Sequence, residues 1–385
     1  MTTPPPLPLH PDIKQSYLPT HDLTYHTLSA GSPSNPLILL IHGFPELAFS
    51  WRKIMVPLAA EGYHVVAFDQ RGYGFTTGWD TRSFDEVDMK TFSFIRLVRD
   101  VVVLVNALGH KEVECVIGHD FGGLTAGTCS LIRPDVFKSV VIMSHPFKGA
   151  PPLPSAPNST SAPGGKKEDV HQALASLDPP RKHYKWYYST LPAASEMLNP
   201  KEDLHTFLRG YFHLKSATWT PNNPHPLSSW SAPELSQLPS YYTMPLHASM
   251  REAVSLSMAG EDPIASTSWL SEQDLAVYTE TWAKTGFQGA LNWYRVATNP
   301  ASLAELEVFA GRTVGIPALY VAGEKDWGSY QEPGALEGMG NVYTDFRGVV
   351  MVKGAGHWVQ QEQPEKVVEV LLKFLGDVKR GRVSF

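Results

Sequence analysis

The chain has 385 residues, of which 43% are hydrophobic and 18% charged, so it can bury a large core and is not a disordered chain. Its 32 basic and 38 acidic side chains give a formal net charge of −6, which excludes the basic surface typical of nucleic-acid binders. The sequence has no signal-peptide pattern and no run of about 18 apolar residues, so we expect a soluble, cytoplasmic protein without a membrane span.

Short apolar runs alternate with helical patterns over the first 145 residues, and each run is typical of a buried strand. These runs lack polar alternation, which predicts a mostly parallel sheet with helices on both faces. The recurrence of apolar residues over 94–108 predicts a helix that Gly109 ends. The predicted strands cover residues 36–41, 63–68, 113–117 and 137–143.

The pattern changes after Ser144. Residues 146–180 contain eight prolines, which predicts a long loop or a flexible insert centred on 151–180. From about 181 to 299 the pattern is helical and aromatic, and no strand is predicted there. This stretch therefore differs in kind from the alternating pattern before it.

The alternating pattern returns in the last part of the chain. Strands are predicted at 316–322 and 349–352, and Pro364 begins an amphipathic helix that Gly376 is expected to end. We therefore predict one α/β domain interrupted by a helical one. The core domain comprises residues 1–145 and 300–385, and the helical cap domain comprises residues 146–299.

The most specific motif is Gly-x-Asp-x-Gly at residues 118–122, between a predicted strand and a helical pattern. This is the layout of the nucleophile elbow of the α/β-hydrolase fold, where glycines allow a tight turn that presents the central side chain. Asp120 at a helix N-terminus should stay ionised, as a carboxylate nucleophile must. A simple helix cap is the alternative interpretation of Asp120. We interpret His42 and His119, which lie beside these turns in the sequence, as structural.

Three more positions complete a catalytic set. The His-Gly-Phe-Pro turn after the first predicted strand places the amide of Phe44 where it can form an oxyanion hole with the amide of Phe121. Asp326 follows one predicted strand, and His357 lies in a loop after the last one. The chain order Asp120, Asp326, His357 is the order of nucleophile, acid and base in this fold.

Seven segments carry a more detailed pattern: HGFPELAFSWR (42–52), DQRGYGFTTG (69–78), GHDFGG (118–123), EQDLAVY (272–278), GFQGALNWYR (286–295), GEKDW (323–327) and GAGHWVQQEQPE (354–365). Together they resemble the soluble epoxide hydrolase family. The resemblance implies that an epoxide is converted to a diol through an ester on the aspartate. It also implies two cap tyrosines that hold the epoxide oxygen: Tyr278, and Tyr184 with Tyr187 as the alternative.

The resemblance further implies an epoxide and water as the small-molecule partners, and a single activity is expected. About twenty residues precede the first predicted strand pair, too few for the phosphatase domain of bifunctional relatives. The sequence has no zinc, nucleotide or phosphate motif, so no cofactor or metal is expected.

Of three alternatives, two stay open at this point and one is excluded. Haloalkane and haloacetate dehalogenases share the aspartate elbow, but the arginines typical of haloacetate enzymes are missing from residues 124–132. A serine-type esterase is excluded by Asp120. A ligand-binding protein of the same fold without turnover is the third alternative, and the complete set of nucleophile, acid, base and oxyanion groups argues against it.

Overall fold

The computed structural model describes residues 5–154 and 169–383, and its largest element is a twisted sheet of eight strands. Two further short strands form a separate pair. The strands are β1 (Lys14–Pro19), β2 (Thr24–Ala30), β3 (Leu37–Ile41), β4 (His64–Phe68), β5 (Cys115–His119), β6 (Val140–Met143), β7 (Arg181–His183), β8 (Thr243–Pro245), β9 (Ala318–Gly323) and β10 (Phe346–Val352).

The strand order of the large sheet is β1-β2-β4-β3-β5-β6-β9-β10. The six strands from β4 to β10 in this order are parallel, as predicted, whereas β1 and β2 are antiparallel at one edge. In β3, Ile38 and Leu40 pack on one face and Leu39 and Ile41 on the other, and all four are 0% exposed. Burial on both faces is the reason that polar alternation is missing from this strand.

Helices cover both faces of the sheet, and a further run of helices lies between β6 and β9 in the chain. The α-helices are α1 (Arg52–Ala60), α2 (Phe94–Ala107), α3 (Phe121–Ile132), α4 (Val170–Ala175), α5 (Tyr184–Tyr188), α6 (Leu191–Leu198), α7 (Leu204–Leu214), α8 (Ala232–Leu235), α9 (Met250–Ser257), α10 (Glu272–Thr285), α11 (Gln288–Ala297), α12 (Pro300–Leu303), α13 (Met339–Val342), α14 (Val359–Glu362) and α15 (Pro364–Val383). Short 3-10 helices cover Ala48–Trp51, Met89–Phe92, Lys201–Asp203, Pro263–Ser268, Ala304–Phe309 and Trp327–Ser329.

The helices form two layers around the sheet. Apolar side chains of α1 and α15 pack on one face, and those of α2 and α3 pack on the other. Gly109, just beyond α2, has a φ of 84°, which agrees with its predicted place at the end of that helix. Within the described residues, no helix is long and apolar enough to cross a bilayer.

Two predictions about the segment before β9 were wrong. The stretch 181–299 contains β7 and β8, which pair antiparallel. Each has only three residues, too few for a period-two pattern, so the pairing depends on contacts between distant parts of the chain. The stretch 146–180, predicted as a loop, contains α4, and its residues 155–168 lie outside the described part of the chain.

The predicted end of the last helix was also wrong, because α15 continues through Gly376 to Val383. Phe374, Leu375 and Val378 are buried around the glycine. Each buried apolar side chain of this size contributes about 1.5–3 kcal/mol, more than the roughly 1 kcal/mol that a glycine costs in a helix. The first strand pair begins at Lys14, earlier than predicted.

Candidate active site

Asp120 lies at the turn from β5 into α3, at the carboxyl end of the parallel strands. Its φ is 53°, a left-handed conformation that costs a residue other than glycine about 1–3 kcal/mol. Neighbouring glycines make the turn possible. A Cβ at Gly122 would lie 2.2 Å from the carbonyl oxygen of Ile41, and one at Gly118 would lie 2.0 Å from the carbonyl oxygen of Gly122. The aspartate is thus presented on a strained, tightly packed turn.

Two groups contact the Asp120 carboxylate, which is 5% exposed. The amide of Phe44 donates to Oδ1 at 3.1 Å, and Nε2 of His357 lies 3.3 Å from Oδ2. Phe121 begins α3, where the first amides have no acceptor within the helix. Burial alone would raise the pKa of Asp120, but the hydrogen bond and charge of His357, with the charge of Lys215, hold this pKa below its usual range. Asp120 is therefore a carboxylate at neutral pH.

His357 and Asp326 lie on the loops after β10 and β9, at the same edge of the sheet as Asp120. Nδ1 of His357 donates to Oδ1 of Asp326 at 3.0 Å, and both side chains are 1% exposed. The amide of Gly328 also donates to Asp326, at 2.7 Å. Burial would raise the pKa of Asp326, but the charge and hydrogen bond of His357 keep this pKa low. The ionised acid orients the imidazole so that Nε2 faces the nucleophile.

The sequence-based prediction gave no role to a buried acid, Glu46, which is linked to His357 through His119. Oε2 of Glu46 lies 2.5 Å from Nδ1 of His119, and Nε2 of His119 lies 2.7 Å from the carbonyl oxygen of His357. Burial would lower the pKa of His119, but the charge and hydrogen bond of Glu46, together with the charge of Asp120, raise it. A protonated His119 can donate to both acceptors and hold the His357 loop. Nε2 of His42 accepts from the amide of Gln70 at 3.2 Å, consistent with a structural histidine.

The hydroxyls of the two candidate tyrosines, Tyr184 and Tyr187, have different partners in the structure. Tyr184 is 3% exposed, and its pKa is raised by burial and by the negative charge of Asp120. Its hydroxyl donates to Oε1 of Gln331 at 3.0 Å. The hydroxyl of Tyr187 instead donates to Oε2 of Glu196 at 2.6 Å. Tyr184 is therefore the tyrosine of this pair that shares the environment of the carboxylate.

The hydroxyl of Tyr278 forms hydrogen bonds with two side chains of the protein. It lies 2.9 Å from Oγ of Ser50 and 3.2 Å from Oε1 of Gln361, and the side chain is 0% exposed. Burial raises the pKa of Tyr278, and the main charges acting on it belong to Arg52 and Glu46. Tyr278 must therefore exchange these hydrogen bonds before it can donate to a substrate.

Two further tyrosines in the quoted segments received no role from the sequence. The ring centre of Tyr294 lies 5.3 Å from that of Phe121 and 5.7 Å from that of Phe44. Burial and the charge of Asp120 raise the pKa of both Tyr294 and Tyr73. Their place beside the carboxylate depends on the packing of distant segments, so no local sequence signal could have found them.

Comparison with known proteins gives the same family throughout the chain. A family model described as alpha/beta hydrolase fold matches residues 36–168. Epoxide hydrolase B of Mycobacterium tuberculosis is 32% identical over 365 residues, which cover 92% of this chain and 96% of that protein. Potato (Solanum tuberosum) epoxide hydrolase I has a TM-score of 0.69 at 29% identity, with 95% of this chain and 99% of that chain covered. An epoxide hydrolase from an endophytic Streptomyces has a TM-score of 0.73 at 26% identity, with 96% and 97% covered.

The fold and the aspartate elbow define an α/β hydrolase, and the predicted fold class is confirmed. The sequence similarity, which extends over nearly the whole chain, adds a narrower assignment. This chain belongs to the epoxide hydrolase family, which confirms the resemblance found in the sequence.

Proposed function

We propose that this chain is an epoxide hydrolase that forms a vicinal diol through an ester on Asp120. One observation carries the proposal: the ionised Asp120 is held between the amide of Phe44 at 3.1 Å and Nε2 of His357 at 3.3 Å. A carboxylate is the nucleophile that this reaction needs. Attack by serine on a saturated carbon would leave an ether, whereas attack by a carboxylate leaves an ester that water can hydrolyse.

In the first step, Oδ2 of Asp120 attacks one carbon of the epoxide and the carbon–oxygen bond of the ring breaks. The electron pair of that bond passes to the epoxide oxygen, which must take a proton. Tyr184 and Tyr278 are the proposed donors, because burial raises the pKa of both phenols and keeps them protonated at physiological pH. The negative charge of Asp120 acts on Tyr184, and the hydroxyl of Tyr278 lies 2.9 Å from Oγ of Ser50.

In the second step, Nε2 of His357 accepts a proton from water while the water oxygen attacks the carbonyl carbon of the ester. Asp326 orients the imidazole and balances its positive charge. The oxygen that becomes negative is Oδ1, to which the amide of Phe44 already donates, and the amide of Phe121 is the second proposed donor. Collapse of this intermediate breaks the bond between the carbonyl carbon and Oδ2, and the imidazolium of His357 returns its proton to the departing oxygen. The new carboxylic acid gives its proton back to the phenolate formed in the first step, so that the diol is released and the carboxylate is restored.

Oxygen-isotope labelling tests the proposal as a whole. With excess epoxide in heavy-oxygen water, we expect a vicinal diol that carries one solvent oxygen. In a single turnover with excess enzyme, the diol should carry no label and Asp120 should carry it, because the first oxygen transferred comes from the aspartate. Label in the diol of a single turnover would mean that water attacks the epoxide directly. No diol from styrene-type, terminal or fatty-acid epoxides would refute the function.

A further prediction concerns the two phenols, which we propose act on the same oxygen. Tyr184→Phe and Tyr278→Phe should each slow ester formation about tenfold to a hundredfold, since a hydrogen bond contributes roughly 0.5–1.5 kcal/mol and more where charge develops. The double variant should lose more than the product of the single effects, because no proton donor is left. Hydrolysis of the preformed ester should change much less.

Single-turnover kinetics on the three tyrosine variants separates the two steps. Tyr187→Phe is the matched control, because the hydroxyl of Tyr187 donates to Glu196 and should not matter for ester formation. Strictly additive losses, or slowing confined to ester hydrolysis, would show that Tyr184 or Tyr278 is only a packed aromatic residue.

The proposed mechanism also gives a role to the predicted division of the chain. We propose that residues 146–299 form a helical cap domain over a core of 1–145 and 300–385, because this segment supplies both proposed proton donors. The proposed partners are an epoxide and water, and the proposed compartment is the cytoplasm.

A further inference from the structure

A buried lysine lies beside the proposed active site and has no part in the steps above. Lys215 follows α7 as its C-terminal cap residue, and it is 3% exposed. Its carbonyl oxygen accepts from the amide of His357 at 2.8 Å. A Cβ at Gly356 would lie 2.6 Å from the same oxygen, so the two chain segments are in close contact. The position of Lys215 is thereby fixed against the loop that carries the proposed base.

The ammonium group of Lys215 is surrounded by aromatic faces, which we call the aromatic cage. Cations within about 6 Å of an aromatic ring centre are attracted by the negative face of the ring. Four rings lie within this distance of the cation, so the side chain is held in a defined place. From Nζ the ring centres lie at 4.8 Å (Tyr242), 5.1 Å (Tyr211), 5.6 Å (Tyr241) and 5.6 Å (Trp358).

This ammonium has no counter-ion at contact distance. Across residues 5–154 and 169–383, no carboxylate oxygen lies within 4.0 Å of Nζ and no hydrogen-bond acceptor is found for it. Two other lysines differ in this respect, because Lys148 and Lys185 each lie 2.5 Å from a carboxylate oxygen of Glu332. A buried charge without a partner is costly, and aromatic faces compensate for it only in part. A ligand with a negative charge would complete the site.

The aromatic cage lies next to residues of the proposed active site. The ring centre of Tyr242 lies 5.1 Å from that of Tyr184, the proposed proton donor. Trp358 follows His357 directly, and their ring centres are 4.6 Å apart. The charge of Lys215 also contributes to the low pKa of Asp120, so the cation and the nucleophile belong to the same poorly solvated region.

We infer that the ammonium of Lys215 binds a carboxylate of the substrate and selects anionic epoxides over neutral ones. This inference rests on the proposed function, because it assumes that the oxirane lies over Asp120. The nucleophile repels a second negative charge, so the carboxylate must be separated from the oxirane by a carbon chain. Lys215 would then hold one end of the substrate while Asp120 attacks the other.

The test uses matched pairs of epoxides: epoxyalkanoates with a terminal carboxylate, at several chain lengths, and their primary amides. We expect the wild-type protein to show a kcat/KM for diol formation about tenfold to a hundredfold higher for the carboxylate at the best chain length. Lys215→Met should bring the ratio of kcat/KM for carboxylate and amide to about one, and this ratio is unaffected by any change in Asp120 that acts on both substrates alike. Lys182→Met is the matched control, because Nζ of Lys182 lies 4.6 Å from the ring centre of Tyr187, away from the aromatic cage.

The outcomes separate this inference from the proposed function. Lys215→Arg keeps the charge and should keep a preference for the carboxylate. If the wild-type protein converts amide and carboxylate equally well at every chain length, the inference is overturned without any variant. If Lys215→Met loses activity equally on both substrates, the lysine acts on Asp120 and not on the substrate, which also overturns it. Absence of diol from every epoxide would overturn the proposed function itself.

Discussion

Replacing Asp120 by alanine should abolish epoxide turnover, with a loss of kcat/KM of more than about 10⁴-fold. The expected loss is this large because the aspartate supplies the oxygen that forms the bond, and no other carboxylate is proposed as nucleophile. The fold should persist. The glycines that shape the turn remain, and alanine removes a carboxylate that is costly to bury, although its own left-handed conformation is strained by about 1–3 kcal/mol.

The measurement is diol formation from an epoxide that the wild-type protein converts, together with a thermal unfolding curve. Asp135→Ala is a suitable control. Asp135 is an exposed carboxylate that pairs with Arg133 at 2.6 Å, and no catalytic role is proposed for it. Wild-type diol formation by a folded Asp120→Ala variant would refute the nucleophile assignment. An Asp120→Ser variant tests the same point. It should also form no diol, because an ether between the serine and the substrate could not be hydrolysed.

The second large effect concerns the proposed base. His357→Gln should still open the epoxide but stop at the ester, because the histidine is needed only to activate water in the second step. We expect one substrate molecule bound covalently per protein molecule, and steady-state turnover lower by more than about 10³-fold. Intact-protein mass spectrometry should detect the added mass, and digestion should place it on the peptide that contains Asp120.

A matched double variant controls for other sites of attachment. Asp120→Ala/His357→Gln should show no added mass under the same conditions, because the acceptor is gone. If His357→Gln binds the epoxide but forms no adduct, then either the ester does not exist or the histidine acts in ring opening. Both results would require a different assignment of the base.

The sequence by itself predicted the parallel sheet and the positions of the proposed nucleophile, acid and base. Buried parallel strands appear in a sequence as unbroken apolar runs, because both faces of each strand are covered, as in β3. The elbow was visible because a tight turn demands glycine at Gly118 and Gly122, where a Cβ would collide with backbone atoms. Parallel strands end at one edge, so residues that follow different strands could be expected to meet.

Only the tertiary structure decided features that depend on contacts between distant residues. The strands β7 and β8 pair although each is too short to give a strand pattern in the sequence. Helix α15 continues past Gly376 although a glycine there locally favours the end of a helix. Contacts between distant residues also set the pairing of Glu46 with His119 and the place of Lys215 inside the aromatic cage. Local patterns report how one segment is buried, whereas the partner of a buried polar group is set by which segments the fold packs together. That is why Lys215, which we propose binds a carboxylate of the substrate, could not be found in the sequence.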